Sequence, residues 1–291
     1  MRWTPGGRSK DLEDRRGSSG GFGGGGFGGG GMRIGLGGAA VLLVLSLVFK
    51  QNFFAMLGAD GGGAGAMGEP AAATDSVVGS PAEEKQVQFV SFVLDDAQST
   101  WERLFQARGQ TYQHAKLVLF RDAIQSACGF AQAATGPFYC PGDQKVYIDL
   151  GFYDELQQKF GAPGDFAEAY VLAHELGHHV QRLMGTEARV REAQERRPDL
   201  ANEYSVRLEL QADCYAGVWG HETAQQQVLE AGDVEEGLAA AAAVGDDRIQ
   251  RMSGQGVHPE AFTHGTSEQR AGWFKRGLES GRPEDCDTFK S

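Results

Sequence analysis

The sequence predicts an α+β fold: a mainly helical domain with a small sheet, preceded by one transmembrane helix. Three observations carry this expectation. Helix-period apolar stripes dominate residues 92–107 and most of the chain after residue 165. Only two short runs, Lys116–Phe120 and Lys145–Leu150, have the bulky, β-branched and aromatic character of strands. The stretch Ile34–Phe49 carries no charge and is bounded by Arg33 and Lys50.

Residues 1–33 hold six basic and three acidic side chains, and Gly17 to Gly31 is nearly all glycine. This region reads as a flexible, basic tail. Residues 34–57 are the expected anchor. Its uncharged core is shorter than the roughly 20 residues of a span, and Phe53, Phe54, Met56 and Leu57 extend it. Ala64-Gly65-Ala66 resembles a signal cleavage site but lies well beyond that core, so an uncleaved anchor is favoured. The basic tail then stays in the cytoplasm and the rest is exported. Residues 58–84 are rich in Gly, Ala, Ser and Pro and read as a linker. Residues 85–291 form the globular domain. The net charge is −12 despite the basic tail, which argues against nucleic acid as a partner. All four cysteines fall in the globular part, which suits an oxidising compartment. The expected pairs are Cys128–Cys140, closing a short loop, and Cys214–Cys286, pinning the C-terminal tail.

Within the domain, Phe92 to Ala107 is a helix carrying Trp101, Leu104 and Phe105, and the two strands follow. After the turn Gly161-Ala162-Pro163-Gly164, Asp165-x-x-Glu168 has the form of a capping box. Phe166, Ala169, Tyr170, Ala173, Leu176, Val180 and Leu183 make one apolar stripe, and Gly185 ends the helix. Gly177 inside it costs about 1 kcal/mol against Ala, so something packs closely there. Residues 205–217 form a second helix. Asp233-x-x-Glu236 caps an alanine-rich helix running to about Met252, and Thr266-x-x-Gln269 caps another from Ser267 to Leu278.

The first of these helices carries His174-Glu175-x-x-His178. Residues four apart lie on one helix face, so the two imidazoles can hold one Zn²⁺. Glu175 can then reach a water on that ion and accept its proton. A catalytic zinc takes three protein ligands. Gln181 and Met184 stand where the extended motif would have Gly and His, so the third ligand comes from another element. Glu209 and Asp213 share a face of the second helix among the small residues Ala212, Ala216 and Gly217. Glu209 is the expected ligand, with Asp213 accepting the free N–H of a ligating histidine. The competing assignment makes Asp213 the ligand.

A helical HExxH followed by a helical ExxxD resembles the gluzincin metallopeptidases. The chain as a whole is similar to the bacterial neutral zinc metallopeptidases, a family of single-pass membrane proteins. The similarity runs through Met1-Arg2-Trp3, residues 12–17, Ala127-Cys128-Gly129, residues 136–141, His174–His179, Glu209–Asp213 and residues 263–270. It implies a zincin-like domain, Zn²⁺, a peptide or protein substrate, and a domain held outside the cytoplasm at the bacterial cell membrane.

Among the other histidines, His179 faces about 100° away from the ligands around its helix. His114, His221 and His258 have no metal spacing. His264, in a loop just before a helix, is placed to stabilise the oxyanion of a tetrahedral intermediate. The expected function is therefore membrane-anchored, zinc-dependent peptide hydrolysis with Glu175 as general base. The alternatives are a zinc-stabilised scaffold or partner-binding protein without turnover, and a non-peptide amidase. The intact Glu175 favours the enzyme.

Overall fold

A computed structural model of the chain describes residues 1–17, 79–132, 135–254 and 256–290. Four strands make the main sheet: β1 (Leu12–Asp14), β2 (Lys116–Phe120), β6 (Lys145–Asp149) and β5 (Phe138–Cys140), in that spatial order. β1, β2 and β6 run parallel, and β5 is antiparallel to β6, with Leu12 opposite Leu117, Leu117 opposite Val146, and Tyr139 opposite Val146. A separate hairpin, β3 (Ala123–Ser126) with β4 (Gly129–Gln132), follows β2. The helices are α1 (Pro81–Gln106), α2 (Gly151–Gln158), α3 (Asp165–Leu183), α4 (Thr186–Arg196), α5 (Ala201–Gln225), α6 (Asp233–Ala243), α7 (Asp246–Met252) and α8 (Ser267–Ser280). This is the mixed, mainly helical fold with a small sheet that the sequence implies.

Strand alternation sorts the core. Leu117, Leu119, Val146 and Ile148 turn to α1 and α3, where they bury against Val90, Leu94, Tyr170 and Leu176. Val118, Phe120, Cys140 and Tyr147 turn to the opposite face. Trp101 and Phe105 of α1 meet Tyr215 and Val218 of α5 beside the Cys214–Cys286 bond. Both expected disulfides are formed, Cys128–Cys140 and Cys214–Cys286.

The N-terminal segment departs from expectation. Residues 1–17 are an integral part of the folded domain rather than a solvated leader. β1 pairs with β2, and Asp11, nearly buried, binds Lys116, His114 and Gln98. Arg16, also buried, pairs with Asp14 and Glu83. The Met1 ammonium sits 2.8 Å from Asp165 and 3.3 Å from Asp233, and Trp3 packs on Phe89. Most of the charges that suggest a solvated tail, among them Arg8, Asp11, Glu13, Asp14 and Arg16, are instead paired with partners on the domain.

This arrangement overturns the expected localisation. A single crossing between residues 33 and 58 would put residues 1–17 and the globular domain on opposite sides of a membrane, yet they share one sheet. Among the described residues, no helix is long and apolar enough to cross a membrane. The proposed anchor at 34–57 and the linker as far as residue 78 lie outside the described residues.

Other boundaries shift for local reasons. Ser80 accepts the Glu83 N–H, and with Pro81 it starts α1 earlier than expected, inside the supposed linker. The Asp165 and Asp233 capping boxes do not form: glycines 164 and 232 precede those helices, and both aspartates bind the Met1 ammonium instead. Glu168 is drawn inward, where burial raises its carboxyl pKa to about 7. The alanine-rich helix breaks at Val244-Gly245, and a Cβ at Gly245 would lie 2.3 Å from the Ser267 nitrogen. The Thr266–Gln269 capping box does form.

Two glycines let α5 and α8 touch backbone to backbone. A Cβ at Gly277 would lie 1.9 Å from the Cys214 carbonyl oxygen, and one at Gly217 would lie 2.0 Å from that of Phe274. Gly277→Ala is therefore expected to destabilise the domain by about 1–3 kcal/mol, as overpacking does. Chemical denaturation measures this directly, and an unchanged midpoint would show that the helices can separate freely.

Candidate metal centre

α3 and α5 cross at Gly177 and Ala212. A Cβ at Gly177 would stand 2.9 Å from the Ala212 carbonyl oxygen and 3.1 Å from its Cα. On α3, His174 and His178 flank Gly177 at −3 and +1. On α5, Glu209 and Asp213 flank Ala212 at the same offsets. Each pair shares a helix face, so the close crossing sets the histidines against the acids. The cost of the mid-helix glycine is explained by this approach.

The donors converge. His174 Nε2 is 3.2 Å from one Glu209 oxygen and His178 Nε2 is 3.4 Å from the other. One ligand atom from each of the three residues lies within 4.8 Å of the others. Two neutral nitrogens and a carboxylate are the donor types of a catalytic zinc, so the residues present fit that ion.

Each imidazole is held from behind through Nδ1. His174 Nδ1 lies 2.8 Å from Asp213 Oδ1, and His178 Nδ1 lies 2.9 Å from Gln181 Oε1. Gln181 in turn donates to the Leu208 carbonyl. Such partners fix ring orientation and leave Nε2 for the metal. Asp213 is saturated. Arg270 from α8 grips it in a fork, Nε to Oδ2 at 2.8 Å and Nη2 to Oδ1 at 2.9 Å, and the Tyr170 hydroxyl also donates to Oδ1. Asp213 therefore sits behind His174 rather than beside the three converging donors.

The electrostatics favour a cation at the donors. Burial alone would lower the His174 pKa, but the Asp213 charge and hydrogen bonds to Asp213 and Glu209 outweigh it and raise it to about 10. Burial alone would raise the Glu209 pKa, yet the two imidazoles hold it well below the usual carboxylate range. His179, by contrast, is fully buried and its pKa is lowered by that burial.

A cavity of about 480 Å³ opens above these donors. His174, Glu175, His178, Glu209, His264 and Arg270 all line it, along with apolar walls from Phe152, Phe160, Val171, Val244 and Ile249. Asp246 at the start of α7 accepts backbone N–H groups from Thr263, His264 and Gly265, and holds His264 Nδ1 at 3.1 Å. Burial opposes it, but that Asp246 hydrogen bond and the Glu209 charge raise the His264 pKa.

The sequence model of the family described as "Putative neutral zinc metallopeptidase" matches residues 1–289. The chain belongs to this family. It is 49% identical over 293 residues to "Uncharacterized protein YpfJ" of Escherichia coli (strain K12), covering 99% of both chains. It is 44% identical over 194 residues to "Uncharacterized protein Rv2575" of Mycobacterium tuberculosis, covering 63% of this chain and 64% of that one. No solved structure matches the chain. The family implies zinc, and of the two groups of candidate metal donors among the described residues, His174, His178 and Glu209 carry the nitrogen donors suited to it, whereas Asp165, Asp233 and Glu236 are all carboxylates.

Sequence reasoning singled out His174, Glu175, His178, Glu209, Asp213 and His264, and the fold brings all six to one region. It missed Arg270 and Gln181. Gln181 carried a signal: it lies three residues after His178 and so on the same face. Arg270 offered little beyond a basic residue on an otherwise apolar helix flank.

Proposed function

We propose that the protein is a zinc-dependent peptidase in which His174, His178 and Glu209 hold the metal, Glu175 is the general base and His264 donates to the developing oxyanion. The observation that carries this reading is the convergence of two Nε2 atoms and a carboxylate on the floor of a cavity that also presents Glu175 and His264. When bound, Zn²⁺ lowers the pKa of a water and polarises the scissile carbonyl. Glu175 is 8% exposed, and among the described residues none hydrogen-bonds its carboxylate. It is thus free to take the water proton and return it to the leaving amine. Arg270 and Tyr170, through Asp213, keep the His174 ring fixed while this charge moves.

An extended peptide finds a template in β5. This strand ends the sheet, pairs only with β6 among the described residues, and contributes Phe138 and Tyr139 to the cavity wall. An unpaired edge offers its backbone groups to such a substrate.

The test is incubation of the zinc-loaded protein with a random peptide library, with new termini read by mass spectrometry. Cleavage that chelation abolishes and zinc restores supports the reading. Absence of new termini with zinc bound would favour the non-catalytic scaffold.

His264→Ala tests the oxyanion role. Asp246 occupies Nδ1, so Nε2 is the nitrogen left for substrate. A donor used only as charge develops should affect kcat more than KM. The expected loss in kcat is roughly 10²–10³-fold with zinc retained. The raised pKa gives the sign of the pH dependence: the imidazolium donor is present below that pKa and lost as pH rises through it. An alkaline fall in kcat should therefore be present in the wild type and absent in His264→Ala. A normal kcat in the variant would reduce His264 to a loop-stabilising role.

A further inference from the structure

His179 follows a proposed ligand but points away from the metal, and nothing in the mechanism uses it. It is fully buried, a position that an imidazole with two polar nitrogens occupies only when both are satisfied. Its Nε2 lies 2.6 Å from the carbonyl oxygen of Gln113, just before β2, and its Nδ1 lies 3.0 Å from the Tyr139 hydroxyl. A carbonyl oxygen only accepts, so Nε2 carries the proton. In the neutral ring Nδ1 is then an acceptor, and Tyr139 donates to it. The direction of every bond in the chain is thereby fixed.

Tyr139 is the middle residue of β5. Phe138 and Cys140 point to the far face of the sheet, where Phe138 stacks on Tyr147 at 4.9 Å. Tyr139 alone points down to α3, and its ring meets that of His179 at 5.4 Å. Tyr112 closes the other side of the imidazole edge-on at 5.6 Å. The strand is only three residues long and has one neighbour among the described residues, so its ladder alone holds it weakly.

We propose that His179 is a positioning residue: the Gln113–His179–Tyr139 hydrogen-bond chain fixes the free edge of β5 relative to the metal helix, so that an extended peptide pairs with a pre-set strand. This rests on the peptidase reading for the identity of the occupant. Its physical content is preorganisation. A strand already held in place loses little freedom when a peptide pairs with it, and a loosened one must be ordered at the expense of binding.

The test uses two probes that do not require turnover, on the zinc-loaded full chain. Acetohydroxamate engages the metal alone. A hydroxamate carried on a four-residue peptide engages the metal and also lies along β5. Calorimetry on the wild type should show tighter binding of the peptide hydroxamate. In Tyr139→Phe, which keeps the ring, its affinity should fall roughly three- to tenfold, the size of one hydrogen bond, while acetohydroxamate is unchanged. His179→Gln keeps a donor near Nε2 but loses the Tyr139 acceptor, and should behave like Tyr139→Phe. His179→Asn keeps an acceptor near Nδ1 and should restore most of the peptide affinity. Should a His179 variant fail to fold, Tyr139→Phe alone decides. Equal loss for both probes, no loss for either, or no advantage of the peptide probe in the wild type would overturn the proposal. Tight peptide-hydroxamate binding, weakened to that extent in Tyr139→Phe, by a protein that hydrolyses no peptide would instead sink the peptidase reading and leave this one standing.

Discussion

Glu175→Gln should leave the fold and zinc content intact and reduce turnover by roughly 10²–10⁴-fold, the contribution of a general base. Glutamine preserves the size and polarity of the side chain, so the α3–α5 crossing has no reason to move. What disappears is the ability to bind a proton. Glu175 lies one residue after His174 and faces the cavity rather than the donor set, which is why metal and catalysis should separate in this variant. Metal analysis and peptide turnover, measured on the same preparation, give both readings. Turnover matching the wild type on a validated substrate would remove Glu175 from the mechanism and reopen the choice of base.

The second large effect is expected at Glu209. Glu209→Ala removes one of three donors and the carboxylate that both Nε2 atoms face. Zinc content should fall from about one per chain to well below that, since two imidazoles alone make a poor site, and turnover should vanish with it. Asp213→Asn should act differently. It weakens the partner of His174 Nδ1, a change that typically costs 10–100-fold in metal affinity or activity without emptying the site. The contrast between the two variants assigns the roles. Full zinc in Glu209→Ala with loss in Asp213→Asn would exchange them and contradict the geometry, in which Arg270 and Tyr170 already occupy Asp213.

The metal helix was legible because its chemistry is local. HExxH places its three functional groups within five residues, and a period of 3.6 suffices to say which face they share. ExxxD is legible for the same reason. Even the penalty of Gly177 pointed correctly to a close neighbour. The pairing of Arg270 with Asp213 joins residues 57 apart in sequence, and no local pattern says that a basic residue on α8 will be buried. The capping boxes at Asp165 and Asp233 show the reverse failure. The local pattern was present, but the Met1 ammonium is a stronger partner for those carboxylates than a backbone N–H. The tail misled most. Interspersed Arg, Asp and Glu look like a solvated face until the strand they flank is seen in the sheet.

That strand has a consequence for how the molecule is made. Asp11, at the entrance to β1, is bonded to a lysine 105 residues further on. The Met1 ammonium reaches a carboxylate 232 residues away. A ribosome adds about 5–20 residues per second, so β1 emerges roughly 5–20 s before the strand it pairs with, and Met1 waits longer still. β1 therefore stays unpaired until β2 has been made, and the Met1 contact with Asp233 forms only after residue 233. Until β2 emerges, β1 leaves its own backbone groups open to any other chain that carries a compatible sequence. The vulnerable interval therefore falls early in synthesis, and loss of the first seventeen residues, which would leave the β2 edge uncovered, should be felt as aggregation.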